Sequence, residues 1–171
     1  MTRALILFIK ILEVYGENVK LEILLATEIY NAEVLCFTEH WLNCHKVRTI
    51  KINNFTLANA FCRTNSDHGG SCILVKQGIM IKELNSLNKL REEKNFELSV
   101  TEIVKQPIII ACIYRSPDGK IDTFFNKLEV IIQKLIGNHK TLILCGDWNI
   151  NLLQSNSYTR ELNDLLLRYN L

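Results

Sequence analysis

The sequence predicts an α/β fold of two stacked mixed sheets with helices outside, and three observations carry that prediction. Strand-length apolar runs alternate with amphipathic helical stretches along the chain. The runs 108 to 113 and 142 to 145 are apolar along their whole length, so both of their faces must be covered. Between them Phe124, Leu128, Ile131 and Leu135 form one helical stripe, widened by Phe125, Ile132 and Ile136.

Each element follows from local pattern. Ala4 to Ile9 is an apolar run of strand length, and Leu21, Leu24, Leu25 and Ile29 then mark a helix over about 18 to 30. Glu33 to Thr38 reads as a second strand, and the polar, broken stretch 43 to 54 as a loop. Phe55 to Cys62 and Ser71 to Val75 are strands flanking "RTNSDHGG", where Gly69 and Gly70 can supply positive φ. The Lys/Glu/Asn-rich stretch 82 to 95 reads as a solvated loop, and "NFELSVTEIV" as a half-exposed strand. "PIIIACIY" is a buried strand turned by "RSPDG". Asp122 caps the striped helix, Gly137 ends it, and "KTLILCGD" is the next strand. From Thr159, the residues Leu162, Leu165, Leu166 and Tyr169 begin a last helix.

With 171 residues, 48% hydrophobic and 22% charged, the chain has the size and composition of one globular domain, residues 1–171, and not of a disordered segment. A net charge of +2 neither supports nor excludes a nucleic-acid partner, because phosphates can be bound by a local patch. The six cysteines form no CxxC pair, and Cys36, Cys72, Cys112 and Cys145 lie in apolar runs, so reduced, buried thiols and an intracellular location are expected. Lys10 interrupts the first apolar run and no small-residue cleavage site follows, which favours a strand over a signal peptide. No run reaches the roughly 20 apolar residues of a membrane helix, so no membrane partner is expected.

The chemistry gathers where strands end. Glu39 ends one strand, Tyr114 and Arg115 another, and Asp147 and Asn149 a third, and ligand groups collect at carboxyl ends held by a rigid scaffold. A hard cation such as Mg²⁺ needs one or two carboxylates plus water and substrate phosphate, which Glu39 and Asp147 supply. Attack on a phosphodiester also needs an oriented water and donors for developing negative charge, for which Asn149 and Tyr114 are suited. Simpler readings stand beside these. Taken alone, Glu39 at a strand end is more often a solvated charge or a helix cap than a ligand, Asp147 and Asn149 after Gly146 equally build an Asx turn, and Tyr114 fits the core with its hydroxyl at the surface. His40, His45, His68 and His139 have no zinc spacing and read as surface residues, and Lys46, Arg48 and Lys51 read as a solvated face.

"VLCFTEHWL", "HGGSCILVKQGI", "IIIACIYRSPDGKIDTFFNKLEVII" and "LILCGDWNINLL", in this order from about Lys20 to the C-terminus, resemble the endonuclease domain of non-LTR (LINE-type) retrotransposons, within the endonuclease/exonuclease/phosphatase superfamily. The resemblance implies a four-layer α/β/β/α sandwich and a Mg²⁺-dependent (or Mn²⁺-dependent) phosphodiesterase that nicks DNA to prime reverse transcription, nuclear in location and without an organic cofactor. It implies Glu39 and Asp147 as metal ligands, with Tyr114 at the scissile phosphate. Asp147 would also activate water, Asn149 would stabilise the transition state, and Arg115 and Ser116 of "RSPDG" would face the substrate. The chain departs from the family twice. Residues 4 to 17 hold no active-site Asn, and no Ser-Asp-His follows the Asp147 strand, so a C-terminally truncated and weakly active or inactive domain is expected. The alternatives are a catalytically dead retroelement remnant and a superfamily member acting on a small phosphorylated molecule.

Overall fold

The computed structural model describes residues 32–136 and 140–171, together with the backbone of Ile11–Glu13. The first sheet contains β1 (Ile11–Glu13), β2 (Val34–Thr38), β3 (Phe55–Phe61) and β4 (Ser71–Lys76) in the order β1-β2-β4-β3. The second contains β5 (Ile81–Glu83), β6 (Glu97–Ile103), β7 (Ile108–Tyr114) and β8 (Thr141–Cys145) in the order β5-β6-β7-β8. Each sheet has one parallel pair, β1 with β2 and β7 with β8, and is otherwise antiparallel. Among the described residues the α-helices are α1 (Cys44–Arg48), α2 (Ile121–Leu135) and α3 (Ser157–Arg168). The predicted strand at 4 to 9 and helix at 18 to 30 lie outside the described residues, as do Gly137 and His139.

Alternation along the strands sorts the apolar residues into layers. Leu35, Phe37, Cys72 and Leu74 face outward from the first sheet, while Val34, Cys36, Ile73 and Val75 face Ile110, Cys112 and Cys145 of the second. The other face of the second sheet, with Leu98, Val100, Ile109, Ala111 and Ile113, lies under α2 and α3. Phe124, Phe125, Leu128, Ile131, Ile132 and Leu135 of α2 are buried there, as their spacing predicted. Each fully buried Leu, Ile or Phe side chain contributes about 1.5–3 kcal/mol, so this layer fixes where β7 and β8 end.

Four local expectations are corrected. Residues 43 to 54 hold a short helix, α1, because the Asn43 side chain accepts from the amides of His45 (3.1 Å) and Lys46 (2.9 Å) and Val47 is buried. Residues 82 to 95 hold β5 and a 3-10 turn, Asn85–Leu90, in which the period of three aligns Leu84, Leu87 and Leu90 against the core. Strand β6 is buried at every position from Glu97 to Ile103. Its Leu98 and Val100 meet the helices, while Ile103 and Ser99 meet the other sheet, Ser99 donating to Ser71 O at 2.8 Å. The N-cap of α2 is Lys120, with Asp122 inside the first turn, where its charge still favours the helix dipole.

Candidate active site

Two clusters form at the carboxyl ends of the strands. In the first, Glu39 follows β2 and Tyr114 ends β7, and across the two sheets the Tyr114 hydroxyl donates to the Glu39 carboxylate. Burial, and then this bond, push the Tyr114 phenol well above its ordinary range, so it holds its proton at neutral pH. Glu39 and Trp41 have left-handed backbones, φ 55° and 53°, a conformation that a bulky residue keeps only when its surroundings impose it. Here the Glu39 and Trp41 amides donate to the carbonyls of Gly70 (2.8 Å) and Gly69 (2.9 Å).

His40, between them, is only 2% exposed, which corrects its reading as a surface histidine. Its Nδ1 accepts the Leu42 amide at 3.0 Å, which leaves Nε2 to donate to Phe61 O at 2.9 Å. The ring is therefore neutral, and burial lowers its pKa. A Cβ at Gly70 would lie 2.5 Å from that ring, so only glycine fits, at φ 95°.

Beneath this cluster lies a carboxylate that the sequence reading did not single out. Glu97 pairs in register with Tyr114 and has no exposed surface. It accepts from Arg63 Nε at 2.6 Å, Gly70 N at 2.5 Å and Lys94 N at 2.7 Å. Burial raises its pKa against the pull of these donors. Glu97 therefore reaches Glu39 through one residue, Gly70, whose amide it binds and whose carbonyl binds the Glu39 amide. It reaches Tyr114 through Arg63, whose guanidinium lies 5.9 Å from the ring centroid. A cavity of about 340 Å³ opens here, lined by Glu39, Trp41, Arg63, His68, Lys94 and Tyr114 among others, with the Trp41 and His68 rings 4.0 Å apart. The sequence signals for this arrangement are a charge inside a strand that alternates, and the paired glycines.

The second cluster follows β8. Gly146 has φ 125°, and a Cβ there would lie 2.0 Å from Ile113 O, so the chain crosses β7 at a spot that only glycine permits. Asp147 accepts the Asn149 amide at 2.9 Å in an Asx turn, the simpler of the two readings of this pair. The Asn149 side chain also donates to Arg115 O at 2.8 Å and, at 3.3 Å, to Asp147 Oδ2. Arg115, 6% exposed, has its guanidinium committed to the chain's own carbonyls: Trp148, Asn149 and Gly119, each at 2.8 Å, and Ser116 at 3.1 Å. It braces the loops. Ser116, which lines the cavity, gives its hydroxyl to Asp118 at 2.5 Å. Lys94 and then Ser116 hold the Asp118 carboxyl down at about 2.

The clusters touch through β7: Arg115, next to Tyr114, donates its amide to Asp147 O at 3.0 Å. Glu39 and Asp147 are linked through Tyr114 and Arg115. Among the described residues, neither belongs to a group of three closely spaced His, Cys, Asp or Glu ligands. The donors on offer are oxygens, and so few of them suit a cation that keeps most of its water, as Mg²⁺ does.

No family model and no curated protein matches the chain. Solved structures do. The endonuclease domain of TRAS1, a telomere-specific non-LTR retrotransposon, superposes with a TM-score of 0.68 at 14% identity, over 94% of this chain and 70% of that one. The AP endonuclease from Archaeoglobus fulgidus gives 0.53 at 14% identity over 82% and 62%, and the Xenopus laevis APE2 catalytic domain 0.50 at 14% over 80% and 60%. The chain thus spans between 60% and 70% of the length of these structures. At such identity the likeness is one of architecture, and the chain has the two-sheet α/β fold of the retrotransposon and AP endonucleases.

Proposed function

We propose that the chain is a divalent-metal-dependent phosphodiesterase domain that nicks DNA, as its resemblance to retrotransposon endonucleases implies. The observation that supports it most is the meeting of Glu39 with Tyr114 and of Asp147 with Asn149 at neighbouring strand ends. Glu39 and Asp147 would hold Mg²⁺ or Mn²⁺, which when bound supplies charge neutralisation for the phosphate and its leaving oxygen. Tyr114, kept protonated, would donate to a phosphate oxygen in place of Glu39. Asp147 orients the water. The Asn149 amide, fixed by Arg115 O, would turn its second N–H from Asp147 Oδ2, a long contact of 3.3 Å, to the developing charge.

The turnover expected is low, because among the described residues no histidine hydrogen-bonds to an aspartate to draw a proton from that water. Supercoiled plasmid with Mg²⁺ tests the reading. Slow nicking should appear, vanish with EDTA and fall at least about a hundredfold in Asp147→Ala. Absence of any cleavage above the EDTA control, with either ion, overturns it. Salt-sensitive DNA binding without cleavage would identify a binding remnant instead.

A further inference from the structure

Three buried thiols converge under the candidate site. Cys36 of β2, Cys112 of β7 and Cys145 of β8 are 0%, 0% and 9% exposed, and their Sγ atoms all lie within 4.8 Å of one another. They precede Glu39, Tyr114 and Asp147 by three, two and two residues, so the trio forms a floor beneath both clusters. Cys112 and Cys145 are register partners in the second sheet, and Cys36 faces them from the first. The Cys112 and Cys145 thiols donate weakly to Phe37 O (3.5 Å) and Ala111 O (3.6 Å).

Packing alone asks only for small apolar groups here, and alanine supplies them elsewhere in the same layers, as Ala58 and Ala111 do. Three sulfurs from three strands bring something packing does not need: three soft ligand atoms within 4.8 Å of one another. We propose that Cys36, Cys112 and Cys145 bind one thiophilic cation of the zinc class, a site independent of the nuclease reading. Zinc holds thiolates at about 2.3 Å, so the sulfurs need to close by about 1 Å at most from their widest separation. Binding releases the three thiol protons, leaving a net charge of −1 around Zn²⁺ and −2 around Cu⁺. The apolar lining, including Val34, Ile73 and Ile110, penalises charge, which selects zinc over monovalent copper. Mg²⁺ prefers oxygen and is excluded by ligand softness, so the hard ion above and the soft ion below do not compete. Phe37 O, already in contact with Cys112 Sγ, is a fourth donor. Cys145, the least buried of the three, lies on the last strand of the second sheet and gives the route in. The bound ion clamps β2 to β7 and β8 and stiffens the strand ends that carry the candidate site.

Titration of the metal-free, reduced 171-residue chain with Co²⁺, a spectroscopic stand-in for zinc, tests the proposal. One ion per chain should give a thiolate-to-cobalt charge-transfer band, displaced by one equivalent of Zn²⁺ and untouched by excess Mg²⁺. Cys112→Ser and Cys145→Ala should each weaken Co²⁺ binding at least tenfold, while Cys44→Ser, at an exposed thiol, should leave it intact. In case the core variants fail to fold, the wild-type chain supplies a second measurement: Zn²⁺ should raise its Tm with concentration. Lack of a thiolate band, a band lost in Cys44→Ser, a Tm indifferent to Zn²⁺, or binding of Cu⁺ but not Zn²⁺ would each overturn the proposal.

Discussion

The two clusters at the strand ends are held by buried charges of opposite sign. Around Glu39 and Tyr114 a carboxylate, Glu97, collects N–H donors from Arg63, Gly70 and Lys94. Around Asp147 and Asn149 a guanidinium, Arg115, collects carbonyl oxygens from Ser116, Gly119, Trp148 and Asn149. Past the end of a strand the ladder no longer satisfies the backbone, and unpaired groups near the core are costly. An anion answers where amides are in surplus, a cation where carbonyls are. The two differ in their own compensation. Glu97 has a charged partner in Arg63, whereas the hydrogen bonds of the Arg115 side chain go to neutral carbonyls. Removing one charge should therefore hurt the first cluster more.

Glu97→Gln gives the largest expected effect. The amide keeps the shape but leaves the Arg63 guanidinium, 7% exposed, without a counter-charge. Breaking one side of a buried pair costs about 3–5 kcal/mol, read as a lower urea midpoint at unchanged slope. Adding Arg63→Gln removes the stranded charge, so the double variant should lose less than the sum of the single losses. A loss below about 1 kcal/mol in Glu97→Gln would show that the ion pair does not organise the first cluster.

Arg115→Lys sharpens the comparison from the other side. An ammonium cannot span carbonyls that lie around a planar fork, so at least two contacts are lost. The carbonyls left behind are neutral and border exposed residues such as Pro117, Asp118 and Asn149, so water replaces part of what is lost. About 1.5–3 kcal/mol is expected, less than for Glu97→Gln. Amide exchange should quicken in the segments 115–119 and 147–149 and stay slow in β6. A variant as unstable as Glu97→Gln would erase the distinction between the two braces.

What the sequence made legible was whatever a single segment encodes. The apolar run of β7, the stripe of α2 and the polar strand ends at Glu39, Tyr114 and Asp147 are each written within one stretch of sequence. Contacts between distant segments are not. Arg63 and Glu97 are 34 residues apart and meet only when the two sheets stack. Alternation in β6 shows that its two faces differ, but not that the polar face packs on β4 instead of water. Helix α1 is five residues long, too short for any period, and the leucines at 84, 87 and 90 repeat every third residue, which is neither the helical nor the strand spacing. His40 looked like a surface residue because nothing local reveals that Gly70 leaves room for its ring.

That ring gives the smallest effect and one that belongs to the first cluster alone. Burial lowers the pKa of His40 in the folded chain, whereas unfolded histidine titrates near about 6.5. Above that value both states are neutral and stability is complete. As pH falls below it the unfolded chain takes up a proton that the folded ring refuses, so stability falls with pH until the lowered folded pKa is reached. Glu97, with its raised pKa, works in the opposite direction, because the folded state gains its proton first. A comparison with His40→Gln isolates the histidine, since Glu97 is common to both proteins. Between pH about 7.5 and 5.5 the wild type should lose up to about 1.4 kcal/mol relative to the variant's own change. Parallel pH profiles would mean that the folded ring accepts a proton freely, and then neither the donor role of Nε2 toward Phe61 nor the acceptor role of Nδ1 toward Leu42 could be what sets the backbone at Glu39.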